Sequence, residues 1–190
     1  MELVAVLWVM ALAGYVCIPI LLANRAEASK QACLANLSEI GSALAKYMND
    51  HDERWPFAAK LRSFDLRPAG ERWPTLPTAL AKYLPEDSSV WECPSDVRRL
   101  SPDDPLSKAN PDAKSYYAAE GLSYEWWWGE ARGGIRIGAE SISDAKGFGY
   151  GRPDQRVLSD FEPFHRLNKG VVINTLFADF QARSVKGIAR

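Results

Sequence analysis

The feature that most constrains this chain is an uncharged, mostly apolar run from Leu3 to Ala23. Its 21 residues are chiefly Leu, Val, Ile and Ala. A helix rises about 1.5 Å per residue, so a run of this length would cross the roughly 30 Å hydrocarbon layer of a bilayer. The sequence therefore predicts that the chain begins with a transmembrane helix.

The helical pattern continues beyond Asn24, but only one face stays apolar. Apolar residues recur at spacings of three and four, which is typical of an amphipathic helix. They are Leu34, Leu37, Ile40, Leu44 and Met48. A rod of 50 residues would be about 75 Å long, more than a bilayer needs. We expect the rod to span 1–52, with a membrane part at 1–23 and an amphipathic part at 24–52 that packs on protein.

The remaining residues, 53–190, predict one globular head domain with an α+β fold. Most of the 12 Pro and 13 Gly, and six of the seven Trp, lie in this part, which indicates turns and strands. The chain has 23 basic and 24 acidic residues and a formal net charge of -1. Since no window is strongly basic, we expect no nucleic-acid partner.

The start of the chain does not fit a secretory signal peptide, because Glu2 precedes the apolar run and the run is too long. A simple membrane anchor leaves three features unexplained, the first of which is that the amphipathic part follows the apolar run without a linker. Glu2 places a carboxylate at the end of the run, where it is costly without a partner. Gly14 and Pro19 interrupt the run, and Pro19 removes one helical hydrogen bond.

These residues resemble the N-terminal helix of type IV pilins and type II secretion pseudopilins. The 17-residue separation of Glu2 and Pro19 is similar to that between the acid and the helix-interrupting proline of the family. The resemblance implies a methylated N-terminus after leader cleavage and an acid that pairs with an N-terminal amine in a growing filament. It also implies a pilin-like fold, in which the long helix packs on an antiparallel β-sheet. Glu2, Gly14 and Pro19 would be the assembly residues.

Three cysteines are too few for a disulfide scaffold. In a pilin-like branch with large sheet domains, a Cys-Pro-Ser-Asp tag accompanies a cysteine on the rod; here Cys93 to Asp96 match the tag and Cys33 stands on the rod. The resemblance therefore implies a disulfide between Cys33 and Cys93 in an oxidising compartment. The alternative is two unrelated thiols. Cys17 lies within the apolar run.

The head contains one predicted short helix, Thr75 to Pro85, and several predicted strands. The strands are Ser89–Cys93, Ser115–Ala119, Leu122–Trp128, Gly133–Gly138, Arg156–Asp160, Gly170–Phe177 and Gln181–Val185. The end of the chain resembles the same branch in the order of His165, Gly170, Asn174 and Leu176 to Asp179. Phe180 replaces the turn glycine of that branch, so a turn with positive φ is disfavoured there.

Trp126, Trp127 and Trp128 cannot all face the core of a strand, because neighbouring side chains alternate between faces. We expect one face to pack inside while Trp127 points outward. Exposed rings would favour a surface contact, either with a sugar or with another subunit. Loops that cover the outward ring are an equally good alternative.

Other candidate sites are weak. His51 has acidic neighbours and is predicted to be an ordinary surface histidine. The acidic segment 101–113 is predicted to be a mobile loop, and it fits no EF-hand calcium pattern. Asp160, Glu162 and His165 combine carboxylates with a histidine, but no nucleophile motif accompanies them. We expect them to tie the last hairpin to a loop, and we expect no enzyme, cofactor or metal.

The expected function is that of a filament subunit. Its partners would be copies of itself in a helical filament, the inner membrane before assembly, and a pilus or secretion assembly machinery. The alternatives are a pseudopilin of a type II secretion system and a membrane-anchored binding protein that does not polymerise. A pilus subunit would form an extracellular filament, and a pseudopilin would form a periplasm-spanning pseudopilus.

Overall fold

The computed structural model describes residues 2–65, 68–97, 103, 105–127, 154–167 and 170–187. Within them, the chain is α+β, with one long N-terminal helix and an antiparallel sheet. The helices are α1 Glu2–Asp50, α2 Leu76–Ala79, α3 Pro105–Ala109 and α4 Tyr116–Glu120. The strands are β1 Tyr124–Trp126, β2 Arg156–Asp160, β3 His165–Leu167, β4 Gly170–Phe177 and β5 Ala182–Lys186. Single 3-10 turns cover Arg62–Phe64, Ala69–Glu71 and Ser89–Trp91.

Helix α1 runs for 49 residues and passes through Pro19 without ending. It stops at Asp50, where Asp52 and Glu53 take positive φ angles of 53° and 59°. The Glu53 N–H then donates to the Met48 carbonyl at 2.8 Å. This end lies two residues before the predicted boundary at residue 52. In the described part of the chain, no helix combines the length and the apolar character needed to cross a membrane.

Strand β4 is the centre of the sheet. Strand β5 pairs with one of its edges, while β2 and β3 lie end to end along the other, and β1 pairs with β2. All these pairs are antiparallel, with Leu158 opposite Leu176 in β2–β4 and His165 opposite Val172 in β3–β4. Residues 161–164 connect β2 to β3 outside the sheet. Since β2 and β3 lie along the same edge of β4, the sheet is four strands wide.

The core lies between the second half of α1 and this sheet. Helix α1 contacts β3, β4, β5 and the turn at Ser89–Trp91. The predicted apolar stripe is buried at Leu37, Ile40, Leu44 and Met48, while Leu34 is only partly covered. The largest fully buried side chains in the head are Trp55, Trp91, Trp126, Tyr124, Leu76, Leu80, Leu158 and Leu176.

Gly41 lies where α1 packs tightly against the sheet. A Cβ at this position would lie 2.9 Å from Leu176 Cδ1 and 3.1 Å from the Phe180 carbonyl oxygen. A side chain here would force Leu176 and the turn between β4 and β5 to shift, so the lack of one at Gly41 allows this close packing.

Two predicted strands are wrong. Ser89–Cys93 contains a 3-10 turn, because the Ser88 hydroxyl accepts from the Val90 N–H and the Trp91 indole donates to the Pro85 carbonyl at 2.9 Å. Ser115–Ala119 lies at helix α4, whose first turn is capped by Ser115 Oγ, which accepts from the Ala118 N–H at 3.0 Å. In both cases a serine cap outweighs the aromatic and β-branched residues that favour a strand.

The turn between β4 and β5 also differs from the prediction. Phe180 adopts a φ of 60°, although a positive φ was expected to be disfavoured there. Its N–H donates to the Phe177 carbonyl at 2.9 Å, and its ring lies 5.9 Å from that of Trp55. Packing of the ring offsets the strain that glycine would avoid.

The other predicted elements have mixed outcomes. The predictions for β2, β4 and β5 are confirmed to within a residue, and α2 occupies the start of Thr75–Pro85. Strand β3 was not predicted. In the segment 101–113, which was predicted as a loop, the described residues include helix α3. The predicted strand Gly133–Gly138 lies outside the described residues.

Candidate functional site: an exposed helical half and a buried cysteine-histidine cluster

The first half of α1, residues 2–23, is here called the exposed half, and residues 24–50 are the packed half. Ten large apolar side chains of the exposed half are described, and their exposed fractions range from 54% at Ile20 to 83% at Tyr15. They are Val6, Trp8, Met10, Leu12, Tyr15, Val16, Ile18, Ile20, Leu21 and Leu22.

These side chains surround the helix. Successive residues of an α-helix are turned by about 100°, so Tyr15, Val16 and Ile18 already point in three different directions. Ile20, Leu21 and Leu22 fill the directions between them. A single partner docked on one side would leave the rest exposed, so this half requires an environment that covers it all round.

The three predicted assembly residues all lie on the exposed half. Glu2 begins α1, and its side chain lies outside the described part. At Gly14, an added Cβ would meet only Ile18 Cδ1, at 3.9 Å. Pro19 sits inside the continuous helix. Pro19 is exposed, and no atom of the head lies within 4 Å of the position that a Cβ on Gly14 would take.

Within the packed half of α1, a disulfide ties the helix to the head. Cys33 and Cys93 are bonded with an S–S distance of 2.07 Å, and both are buried. Two amide side chains add to the attachment. Asn36 donates to the Glu92 carbonyl at 2.9 Å, and Asn174 donates to the Lys30 carbonyl at 3.3 Å. Cys17 is free and exposed.

A buried histidine lies beside this disulfide. His165 Nε2 is 3.6 Å from Cys93 Sγ and 3.5 Å from Asp160 Oδ2. The same carboxyl oxygen accepts from the Asn174 N–H at 2.7 Å. Asp160 Oδ1 and His165 Nδ1 have no hydrogen-bond partner. Strands β2 and β3 place Asp160 and His165 together because residues 161–164 loop out between them.

Burial controls the protonation of this pair. It raises the pKa of Asp160 to about 8, an effect that the hydrogen bond from Asn174 opposes. It lowers the pKa of His165 to about 4, with a smaller contribution from the nearby charge of Lys30. At neutral pH both groups are therefore neutral, and their contact is not an ion pair.

The cluster does not have the geometry of a nucleophile-base-acid triad. In such a triad, one ring nitrogen faces the nucleophile and the other faces the acid. Here Cys93 Sγ and Asp160 Oδ2 both lie near Nε2 of His165. Glu162, the third residue of the predicted cluster, is separate and accepts from the Tyr116 hydroxyl at 2.6 Å.

The Cys-Pro-Ser-Asp tag has a structural role. Asp96 accepts from the Tyr116 and Tyr117 N–H groups at 3.0 and 2.8 Å, at the start of α4. It also accepts from the Ser123 hydroxyl at 2.7 Å, and Ser123 Oγ accepts from the Cys93 N–H at 3.0 Å. Asp96 thus joins the disulfide loop to α4 and β1.

The tag at the end of the chain closes the last hairpin. Asp179 Oδ1 accepts from the Gln181 N–H at 3.0 Å, and its other oxygen contacts the Arg183 guanidinium. Asn174 Oδ1 accepts from the Ser184 hydroxyl at 2.7 Å. Asn174 therefore bonds to β5, to Asp160 and to α1, a role that the sequence did not predict.

The tryptophans separate as predicted by strand alternation. Trp126 is fully buried, with its ring 6.2 Å from that of Trp55, so it belongs to the core rather than to a contact surface. Trp127 is 38% exposed, lies under the Lys60 ammonium at 5.1 Å and donates to Ser159 Oγ at 2.8 Å. Trp128 lies outside the described residues.

The remaining candidates are at the surface. His51 is exposed, and its ring stacks on Tyr47 with centroids 3.9 Å apart. Residues 101, 102 and 104 of the acidic segment lie outside the described residues, while Asp103 and Asp112 are exposed. Among the described residues, the set that could hold a metal ion is Cys33, Cys93 and His165.

No protein-family model, curated protein or solved structure matches this chain significantly.

Proposed function

We propose that this chain is a structural subunit, a pilin, that polymerises through the exposed half of α1 into an extracellular type IV pilus-like filament. The observation that carries the proposal is that large apolar side chains from Val6 to Leu22 are more than half exposed on all sides of one helix. The resemblance of Glu2 and Pro19 to the family's assembly residues supports it.

The two halves of α1 suit the two tasks of a filament subunit. The packed half is held by the disulfide and by the stripe from Leu37 to Met48, so the head cannot fold back over the exposed half without unfolding its core. The exposed half is then available for neighbours. A bundle of equivalent helices would cover it all round, which a single partner would not.

Before assembly, we propose that the exposed half is stored in the inner membrane. Its apolar side chains would exchange lipid for the same side chains of neighbouring subunits. Glu2 would set the axial register by pairing with the N-terminal amine of a neighbour, since a carboxylate at the end of an apolar run needs a partner. The head would face an oxidising compartment, where the Cys33–Cys93 bond persists.

The test compares two glutamates of α1. Glu2→Ala should leave the chain membrane-associated but strongly reduce filament yield, whereas Glu39→Ala, at an exposed position of the packed half, should assemble normally. Filaments are measured by negative-stain microscopy of sheared surface material, with mass spectrometry to identify the subunit. A wild-type yield from Glu2→Ala would rule out the assigned role of Glu2.

The same experiment separates the alternatives. Long filaments of this chain on the cell surface indicate a pilus. Assemblies that stay short, formed by a chain that the cell needs for protein export, indicate a pseudopilin. A wild-type chain that stays in the membrane and never polymerises indicates an anchored binding protein, and it would contradict the proposal.

A further inference from the structure

The environment of the disulfide contains more ligand atoms than a structural cross-link requires. The two sulfurs of Cys33 and Cys93 and Nε2 of His165 all lie within 4.8 Å of one another. Asp160 adds a carboxyl group 3.5 Å from the same nitrogen. The side chains of His165 and Asp160 have no exposed surface, and Cys33 and Cys93 are at most 1% exposed.

These residue types are the ligands that Zn²⁺ prefers, namely thiolate, imidazole and carboxylate. Tetrahedral Zn²⁺ has bonds of about 2.3 Å to sulfur and about 2.0–2.1 Å to nitrogen or oxygen. Such bonds place a sulfur and a nitrogen roughly 3.6 Å apart, and a nitrogen and an oxygen roughly 3.3 Å apart. The Cys93–His165 and His165–Asp160 distances are 3.6 and 3.5 Å, so two edges of the tetrahedron are already present.

An unpartnered atom points to the same conclusion. Asp160 Oδ1 is buried and has no hydrogen-bond partner, while Oδ2 accepts from the Asn174 N–H. An orphan carboxyl oxygen inside a core is costly and rare. A metal ion bound by both carboxyl oxygens, through Oδ2 on the 3.5 Å edge to His165 Nε2 and through Oδ1, would give the orphan oxygen a partner, while the Asn174 N–H would hold the carboxyl group in position.

We propose that reduction of the Cys33–Cys93 disulfide converts this cluster into a Zn²⁺ site with Cys33, Cys93, His165 and Asp160 as ligands. A dithiol reductant supplies two electrons and two protons and is itself oxidised to a disulfide, which leaves two cysteine thiols. Zn²⁺ then binds the two thiolates, the neutral imidazole and the carboxylate, and the displaced protons pass to solvent.

The disulfide and the metal exclude each other, because sulfurs bonded to one another are not thiolates. To bind Zn²⁺ the sulfurs must separate to roughly 3.8 Å, the sulfur-sulfur edge of the tetrahedron. Either link would join α1 to the head at the same point. The head would therefore be joined to α1 by Zn²⁺ in a reducing compartment and by the disulfide in an oxidising one, whether or not the chain polymerises.

The test uses the full-length chain in detergent. The protein is reduced with dithiothreitol, which is then removed by anaerobic gel filtration, and Zn²⁺ binding is measured by competition with a chromogenic chelator. Co²⁺ serves as a second probe, because tetrahedral thiolate coordination gives intense visible bands and a sulfur-to-cobalt charge-transfer band. We expect one ion per reduced chain and none per oxidised chain.

Variants identify the ligands. His165→Ala and Asp160→Asn should each weaken Zn²⁺ binding at least tenfold, and Cys17→Ser, the matched control on the exposed half, should bind as the wild type does. Equal binding by the oxidised and reduced chains would overturn the proposal, as would a failure of the reduced wild-type chain to bind Zn²⁺. The wild-type measurements decide the question even if a variant fails to fold.

Discussion

The two halves of α1 belong to one continuous helix, yet their described side chains differ sharply in burial. In the packed half, Leu37, Ile40 and Leu44 are fully buried against the head. In the exposed half, Leu21 and Leu22 are 65% and 61% exposed. Helix propensity does not separate the halves, since both are rich in Leu and Ala. The arrangement of polar residues does, because only the packed half has a polar face.

This difference shows how one element can serve two structures. One sheet is enough to bury a single apolar stripe, and the head of the same chain supplies that sheet to the packed half. A helix that is apolar on all sides cannot be satisfied by one surface, so the exposed half depends on surroundings outside the chain. Substitutions in the two halves should therefore affect different measurements, namely head stability and the filament assembly that we propose.

The largest effect on head stability should come from the cysteines. Removing the disulfide with the double variant Cys33→Ser and Cys93→Ser frees a loop with a sequence separation of 60. In the chain-entropy account this costs about 4 kcal/mol of unfolding free energy. Cys17→Ser, in the exposed half, should leave that free energy unchanged. Urea unfolding of the oxidised full-length chain in detergent, followed by tryptophan fluorescence, measures both.

Labelling provides an independent check on the bond. In unfolded, unreduced protein, a thiol reagent should modify Cys17 alone. Modification of Cys33 and Cys93 under the same conditions would contradict the disulfide, and an unchanged urea midpoint in the double variant would contradict its contribution to stability.

A matched pair of leucines gives the next effect. Leu44→Ala removes a fully buried side chain and should lower the free energy of unfolding by about 3 kcal/mol, since it leaves a cavity. Leu21→Ala should change this free energy by less than about 0.5 kcal/mol but reduce filament yield. If Leu21→Ala destabilised the head as much as Leu44→Ala, the two halves would not be independent.

The sequence predicts the long helix and its apolar stripe because each depends on local patterns. The same holds for β2, β4 and β5, whose alternating or β-branched residues carry the signal. Prediction from the sequence fails at Ser115–Ala119, where a serine cap and the glycine at 121 favour a helix over the strand that the aromatic residues suggest. It also fails at Phe180, whose positive φ depends on packing against Trp55, a contact distant in sequence.

The buried cluster was only partly predictable. Asp160 and His165 stand out as a carboxylate and a histidine five residues apart, but their alignment with Cys93 requires the outward loop at 161–164. The contact between Asn174 and Lys30 joins residues 144 positions apart, and no local pattern indicates it. Gly41 carried a usable signal, since a lone glycine on a helix's buried stripe often marks close packing.

Two glycines of α1 provide the third prediction. Gly41→Val forces new atoms toward Leu176 Cδ1 and the Phe180 carbonyl oxygen, and this overpacking should lower the free energy of unfolding by about 2 kcal/mol. Gly14→Val has open space around it and should leave head stability unchanged. Urea midpoints of the two variants test this, and equal midpoints would show that α1 is not closely packed at Gly41.

A smaller effect on head stability should come from pH, which acts through the buried carboxyl group of Asp160. Folding raises the pKa of Asp160 to about 8, so the folded head binds a proton that the unfolded chain has lost. Stability should therefore fall as pH rises between about 6.5 and 8, by less than about 1.4 kcal/mol per pH unit. His165 opposes this fall near pH 6.5, because its lowered pKa of about 4 keeps it neutral in the folded head while the unfolded imidazole, with an ordinary pKa of about 6.5, still binds part of a proton, and this contribution fades towards pH 8.

Asp160→Asn is the matched control for this pH dependence, since it keeps the shape of the side chain and removes the titration. Urea midpoints of the wild type should fall from pH 6.5 to 8, while those of Asp160→Asn should stay more nearly constant. A parallel fall in both chains would assign the dependence to other groups.

The smallest effect on the head, and the sharpest test of the exposed half, concerns Pro19. A proline leaves the Tyr15 carbonyl without its usual donor, and Gly14 beside it lowers helix propensity further. In the single chain α1 is helical through this region. In a filament, we expect the helix to break between about Gly14 and Ala23 and to resume by Arg25, because a rod that can stretch there fits neighbours at different heights. Pro19→Ala should restore the missing bond, leave the urea midpoint of the head unchanged, and give a filament with altered subunit spacing. A cryo-electron microscopy map of wild-type filaments with helical hydrogen bonds on both sides of Pro19, and only its own bond missing, would refute the extended break and leave a simple kink.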